Sequence, residues 1–493
     1  MSLMTDSRIL PTDFKAQPRY RAPREHGQWL LTPTIDAAVD AAKLFAADER
    51  IIGGPRFCGR SIAELRAEAK REVFIAALVS TRQYRDSVPL GCEAIDAAAA
   101  RPWLVAGHQP ELFHPGVWFK NFVLSRAAEQ TGYLPLNLVI DNDLCRSPGI
   151  KVPTRRPIHD RPEEVNRLRT ESVLFDGPAA GIPWECRALV DESCFRSFPE
   201  RVRDVLASEI TEPLISRLWP AVIESLTRTG RLGAALAEGR HGLEADLGLK
   251  TLELPLSRVC RSAAFARFSL EILSRIDAFQ RSYNTQRSGY RQANSIRNEA
   301  HPVPALTAKA GWFEAPFWVY RFSAPTRRRL FVKLQGDDLL LSDQAGWQTS
   351  IEGPLHSDDA VAQWQELSFD GAFVRPRALI TTMFSRLALA DIFLHGIGGG
   401  KYDQITDAIL FDFFGLTPPP MCIATSTLTL PIQTSPDRES ANLPISGRTD
   451  ESPAIHLRRM RYHAEEYLEY PDDEAERLMQ RKKELTCRRS AAW

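Results

Sequence analysis

The sequence predicts an α/β fold: a parallel sheet split by a large helical plus antiparallel-β insertion and followed by a C-terminal helical tail. Three observations carry that prediction. The first is the stretch Trp103–Asp143, which reads strand, helix, strand. The second is a like pattern that returns between Arg375 and Thr429. The third is a run of alternating strands, Phe317–Leu341, lying between the two. Consecutive parallel strands need a crossover helix, whereas a meander closed by short turns is antiparallel.

The elements follow in order. Residues 1–100 read as mainly helical. Ser61 with Glu64 forms a capping-box pattern ahead of Ile62, Leu65, Ala69, Val73 and Ala76 on one face, and Thr34–Ala47 is a second helix. Residues 101–150 hold the first half of the sheet. Trp103–Ala106 is a short apolar run bounded by Gly107, and Val117, Phe119, Phe122, Val123 and Ala127 recur at helical steps. Gly132 is placed to end that helix, since glycine takes the left-handed cap conformation cheaply. Leu134–Ile140 is the second strand and stops at Asp141-Asn142-Asp143.

Residues 151–374 read as the insertion. Repeated prolines make 144–195 irregular or short-stranded, Ser197–Tyr283 is helical, and FWVYRF, RRLFVKLQ and LLLS alternate as strands. Ala324-Pro325-Thr326 and Gly336-Asp337 are expected to be the turns, and Arg327-Arg328-Arg329 a solvated turn. Residues 375–431 hold the second half: a helix over Ala378–Ala388, a strand at Ile392–Leu394, the loop His395–Gly400, a helix over Lys401–Phe414 and a β run from Met421. Residues 432–455, rich in Ser, Pro and charge, read as a linker, and 456–493 as helices broken by Pro471.

Composition narrows the function classes. The chain has 493 residues, enough for more than one lobe. Lys plus Arg equals Asp plus Glu at 62 each, so no global charge draws it to nucleic acid or an anionic membrane. No window approaches ~18 uninterrupted apolar residues, so no membrane span is expected. The eight cysteines show no CxxC pair and no disulfide spacing. A cytoplasmic, reduced, metal-free protein acting on a small molecule is the expectation.

Chemistry concentrates at three polar clusters, each at the carboxyl end of a strand, where open α/β sheets bind ligands. The Gly107-His108-Gln109-Pro110-Glu111 turn offers an imidazole, an amide and a carboxylate, with His114 six residues beyond His108. Its alternative is a turn whose side chains satisfy the backbone. Asp141 and Asp143, two apart on one strand, project to the same side and suit an amine, a sugar hydroxyl or Mg²⁺, or cap the strand instead. The loop His395-Gly396-Ile397-Gly398-Gly399-Gly400 precedes a helix whose N-terminus favours an anion. It is neither a GxGxxG fingerprint nor a P-loop, so ATP with Mg²⁺ is left open without support from a nucleotide motif. Cys145, without a placed base, reads as inert.

These residues resemble the cysteine-adding enzymes of bacillithiol biosynthesis, which have a Rossmann-like core, inserted segments and a C-terminal coiled coil. Gly107, His108, Gln109, Leu112, Phe113 and Lys120 are similar to the first family motif, a Gly-Gln-Gln turn with Leu-Phe and a helix bearing Lys. Ile140-Asp141-Asn142-Asp143 is similar to the acidic strand end. Arg375-Pro376, Gly396, Gly398, Tyr402 and Phe414-Gly415-Leu416 are similar to the third motif. His108 and Asn142 depart from the family's Gln and His, and the coiled coil is curtailed.

The resemblance implies a divergent, ligase-like enzyme joining an amino acid, cysteine in the family, to the amine of a small polar or sugar-derived acceptor. Asp141 and Asp143 would hold the ammonium or hydroxyls and His108 would move the proton. Gly107, Gln109, Lys120, Asn142, His395, Gly396, Gly398, Gly399, Gly400 and Tyr402 would contact substrate. The C-terminal helices would join two copies as a homodimer. Two alternatives stand: an adenylate-forming or nucleotidyl-transferring enzyme, although no KMSKS-like loop is present, and a non-catalytic binding or assembly protein that keeps the fold.

Overall fold

Short, unbroken apolar runs become strands only where both faces are covered, and the centre of this protein is built that way. The structure, a computed structural model, describes residues 10–432 apart from 49–53, 90, 156–167, 179–180, 207–208, 211, 298–302 and 369–370. The strands in chain order begin with β1 (Trp29–Thr32), β2 (Trp103–His108), β3 (Leu134–Val139), β4 (Gly149–Thr154) and β5 (Arg169–Leu174). Next come β6 (Leu252–Pro255), β7 (Ala308–Lys309), β8 (Trp312–Arg321), β9 (Ala324–Gln335) and β10 (Asp338–Ser342). The last are β11 (Gln348–Ile351), β12 (Ala372–Pro376), β13 (Ile392–His395) and β14 (Met421–Ser426).

The main sheet has the order β1-β14-β13-β2-β3-β6. From β14 to β6 all neighbours are parallel, and β1 closes the edge antiparallel to β14. Numbered along the chain, the parallel strands read 3-2-1-4-5 from the β6 edge. The pleat divides β2 between two cores. Leu104 and Ala106 pack with Leu124 and Ala127 of the Pro115–Thr131 helix and with Ala38 and Ala42. Trp103 and Val105 join the opposite core with Ile405, Ala408 and Ile409 of the Ile397–Phe414 helix. The helix after β2 and the helix after β13 therefore cover opposite faces, and β2 and β13 are neighbours. The crevice between such strands opens at their carboxyl ends.

The second sheet, β11-β10-β9-β8-β12, is antiparallel, with β7 added on β8. Its Phe317, Val332 and Leu341 share one core cluster with Val105 and Leu136 of the main sheet. A separate cluster around Trp184, Phe198 and Trp219 joins the β4–β5 hairpin to the helices between Glu192 and Asp246.

Several local signals operate as expected. Ser61 and Glu64 form a reciprocal capping box, Thr34 caps the Ile35–Ala46 helix, and Gly132 has φ 74°. Other expectations need correction. Residues 151–374 are not a simple insertion, because β6 is a parallel strand of the main sheet. Four residues ending in proline carry too little periodicity to announce a strand. Arg375 and Pro376 belong to β12, at the edge of the antiparallel sheet, and not to the second half of the parallel one. The first meander turn is at Phe322–Ser323, so Ala324–Thr326 and the three arginines after them are strand. β1 lies in a region read as helical; an edge strand with one exposed side gives a weak signal. The linker over 432–455, beyond Ile432, and the helices over 456–493 lie outside the described residues. All seven cysteines among the described residues are free.

Candidate functional site

Parallel pairing brings three strand ends side by side. Leu104 and Ala106 pair with Ile392 and Leu394, so His108 and His395-Gly396 leave adjacent strands at one edge. On the other flank His108 pairs with Val139, and its carbonyl accepts the Ile140 N–H at 2.8 Å. The three polar clusters thus lie along the carboxyl ends of β3, β2 and β13.

His108 is packed edge-on to Phe113, with ring centroids 4.7 Å apart. Its Nδ1 lies 3.2 Å from the Gln109 carbonyl oxygen, which assigns the proton to Nδ1 and leaves Nε2 as the acceptor. Burial, then the positive charge of Lys120, pushes its pKa down to about 3. A ring held neutral so firmly is poorly suited to store a proton. Lys120, itself buried, donates to the Gly107 carbonyl at 2.8 Å and so ties the helix to the turn. Burial and the nearby Arg240 lower its ammonium to about 8. His114 caps the Pro115–Thr131 helix by accepting the Gly116 N–H at 3.0 Å.

The acidic strand end is heavily engaged. Asp141 is buried, and its two oxygens accept the Ser257 backbone N–H at 2.9 Å and the Ser257 hydroxyl. Burial, reinforced by Glu185, raises its carboxyl to about 7 despite those bonds. Asn142 donates to the Pro376 carbonyl at 2.8 Å. Asp143 accepts from Gln109 at 3.0 Å, from its neighbour's Leu144 N–H at 2.8 Å and from Arg327 at 3.1 Å. Of the pair, Asp143 is the more accessible carboxylate. Arg327, expected on a solvated turn, instead spans from β9 to this strand end and also reaches the Asn142 carbonyl. Its guanidinium stacks on Trp318, as does that of Arg377.

The glycine segment is not a loop. Ile397–Gly400 form the first turn of the Ile397–Phe414 helix, with Gly396 as an N-cap that supplies no side-chain bond. Glycine continues a helix when packing demands it, and two positions here show the demand. A methyl at 399 would collide with His395 Nδ1, and one at 400 with Ile423 of β14. Gly396 and Gly398 have open space around them. The first-turn N–H groups therefore lie just past the carboxyl end of β13 without a side-chain cap, an arrangement that suits an anion. Tyr402, one turn on, packs partly buried with its ring 6.4 Å from that of Tyr290.

Partners that no local pattern marked complete the site. His395 Nε2 lies 3.2 Å from Asp403 Oδ2. Asp403 also accepts from Thr382 at 2.7 Å and from Arg386. Glu185 receives both arms of Arg375, at 2.8 and 3.0 Å, and the Tyr320 hydroxyl. These partners are separated by up to 190 positions, so spacing could not reveal them. The His395–Asp403 separation of eight, by contrast, crosses a strand-to-helix turn and was within reach.

Beneath the turn, Arg240 bridges Glu244 at 2.7 Å and Glu253 at 2.5 Å. Trp118 and Asn121 donate to Glu244, and Asn137 donates to Glu253. With His241, these two carboxylates are the group of described residues whose ligand atoms all lie within 4.8 Å of one another. Both His241 nitrogens are already engaged, at 2.9 Å each, by Tyr84 and Thr251. With Arg240 and Lys120 alongside, added divalent charge would be unbalanced, so the group is built as an ion-pair network. Cys145 is buried and its thiol is pushed up to about 11 by that burial, which keeps it unreactive.

The chain matches no protein family and no curated protein. No helix of the described residues is long and apolar enough to cross a membrane.

Proposed function

We propose that the protein is a ligase-like enzyme of the cytoplasm that joins an amino-acid carboxyl, cysteine being the first candidate, to the amine of a small polar or sugar-derived acceptor. The observation that carries the reading is the convergence of the β3, β2 and β13 ends where the helices after β2 and β13 cover opposite faces. The 3-2-1-4-5 strand order supports a Rossmann-like reading, in which ligands bind at this point. The uncapped helix N-terminus after Gly396 would hold the carboxylate or phosphate of a substrate. Asp143, with Gln109 beside it, would hold the amine, while Asp141 fixes the strand end through Ser257. His108, neutral, would offer Nε2 as a hydrogen-bond acceptor.

Metabolite profiling of a deletion strain tests the proposal. A missing amino-acid conjugate together with an accumulated amine is the expected result; a profile unchanged in both overturns it. A second reading, nucleotidyl transfer, is favoured by the same glycine-lined helix N-terminus, where phosphates bind well. Pyrophosphate release from ATP by the purified protein, without amide formation, would select it.

A further inference from the structure

We infer that His395, oriented by Asp403, is the proton acceptor of this site, taking the proton from the attacking amine; the inference rests on the amide-forming reading above. Asp403 is fully buried and ionised: burial alone would raise its pKa, but the Arg386 guanidinium outweighs that and holds it low. An ionised carboxylate at 3.2 Å takes the proton-bearing Nε2 of His395 as its donor, which leaves Nδ1 bare. Arg386 keeps Asp403 in place, itself fixed by Asp407 at 2.6 Å and by the Pro419 carbonyl. Thr382 holds the other carboxylate oxygen. Nδ1 has no hydrogen-bond partner among the described residues and is turned toward the first turn of the Ile397–Phe414 helix. Gly399 is the residue that makes room for it there.

The same position is where an anionic acyl donor would be held. His108, on the next strand, hydrogen-bonds to no carboxylate among the described residues, and burial with the charges of Lys120 and Arg240 outweighs the pull of Asp143 and opposes its protonation. The proton-accepting role therefore falls to His395 and the orienting role to Asp403.

The step balances with an acyl phosphate or acyl adenylate as the donor. The amine lone pair forms the C–N bond while the carbonyl electrons move to oxygen. Nδ1 takes the surplus N–H proton. Collapse re-forms the carbonyl and breaks the C–O bond, and the phosphate oxygen leaves with the electron pair. The imidazolium then returns its proton to that oxygen or to water.

Two readouts test the dyad without any substrate. In histidine-¹⁵N-labelled protein, long-range ¹H–¹⁵N spectra should show His395, assigned by its loss in His395→Gln, as the Nε2–H tautomer with bare Nδ1. Asp403→Asn should shift it toward the other tautomer. Diethyl pyrocarbonate, which acylates a bare imidazole nitrogen, should label His395, and roughly tenfold more slowly in Asp403→Asn. An Nδ1–H tautomer in the native protein, or a His395 that stays unlabelled while other histidines react, overturns the inference. With a working amide assay, His395→Gln should lower kcat by roughly 10²-fold or more at unchanged KM. Unchanged kcat overturns the catalytic role even if the dyad is present. Absence of amide formation by the native protein would instead count against the parent reading, and with it this role for His395, while the tautomer still reports on the dyad.

Discussion

Asp141 shows how a carboxylate can look like a ligand-binding group in sequence and be an anchor in the fold. Its raised pKa has a definite consequence. The unfolded carboxyl titrates near 3.9 and the folded one near 7, so between those values the native state holds the extra proton. The contribution of Asp141 to stability is therefore greatest at low pH and declines as pH rises toward 7, by at most about 1.4 kcal/mol per pH unit. Asp141→Asn should abolish that slope, so melting curves from pH 4 to 8 should show the variant gaining on the native protein. Asp141→Ala removes the acceptors of the Ser257 N–H and hydroxyl and should cost about 1–3 kcal/mol. Ligand affinity should survive Asp141→Asn and fall in Asp143→Asn, which titration calorimetry with amines would resolve. Equal losses in both would return Asp141 to the binding surface.

At the scale of elements, two glycines near helix starts should behave oppositely. A methyl at 116 would lie 2.5 Å from the backbone carbonyl oxygen of Ser426, so Gly116→Ala must push the Pro115–Thr131 helix away from β14. A destabilisation of about 1–3 kcal/mol by denaturant unfolding is expected, as for other overpacked sites. Gly398 has open space and helical geometry, so Gly398→Ala should hold or raise stability, by up to about 1 kcal/mol. If the helix N-terminus receives an anion, that more stable variant should nonetheless bind it less well, because the methyl narrows the approach. Stability and binding moving together would argue that the glycines serve folding alone.

For the described molecule the expectation concerns cooperativity. One core cluster runs from Val105 and Leu136 through Phe265 and Phe384 to Phe317, Val332 and Leu341, so the two sheets have no apolar boundary between them. The amides of β2, β3 and β13 should therefore exchange with the same free energy as those of β8, β9 and β10 in native-state hydrogen exchange. Two distinct exchange plateaus, one per sheet, would show that the sheets are separate folding units after all. The Arg375–Glu185 pair links β12 to the strand-end region, where the Glu185 N–H donates to the Asp141 carbonyl at 2.8 Å. Breaking it with Glu185→Gln should cost about 3–5 kcal/mol, the usual penalty for stranding one buried charge.

The sequence by itself determined what depends on near neighbours. Apolar runs marked β2, β3, β13 and β14, three- and four-residue spacing marked the helices before and between them, and Ser61, Thr34, Gly132 and Gly415 marked helix ends. It also located the polar clusters, because each apolar run ends where polar residues begin. Tertiary structure alone decided which of those polar residues are free to act. Ser257 occupies Asp141, Arg327 comes to Asp143 from another sheet, and Asp403 orients His395. It also recruited β6, four residues whose place in the sheet comes from the strand beside them. Hydrogen bonds and ion pairs act over a few ångströms in space and carry no periodic trace in the chain, so the partners that set the charge of each group became legible only when the fold brought them together.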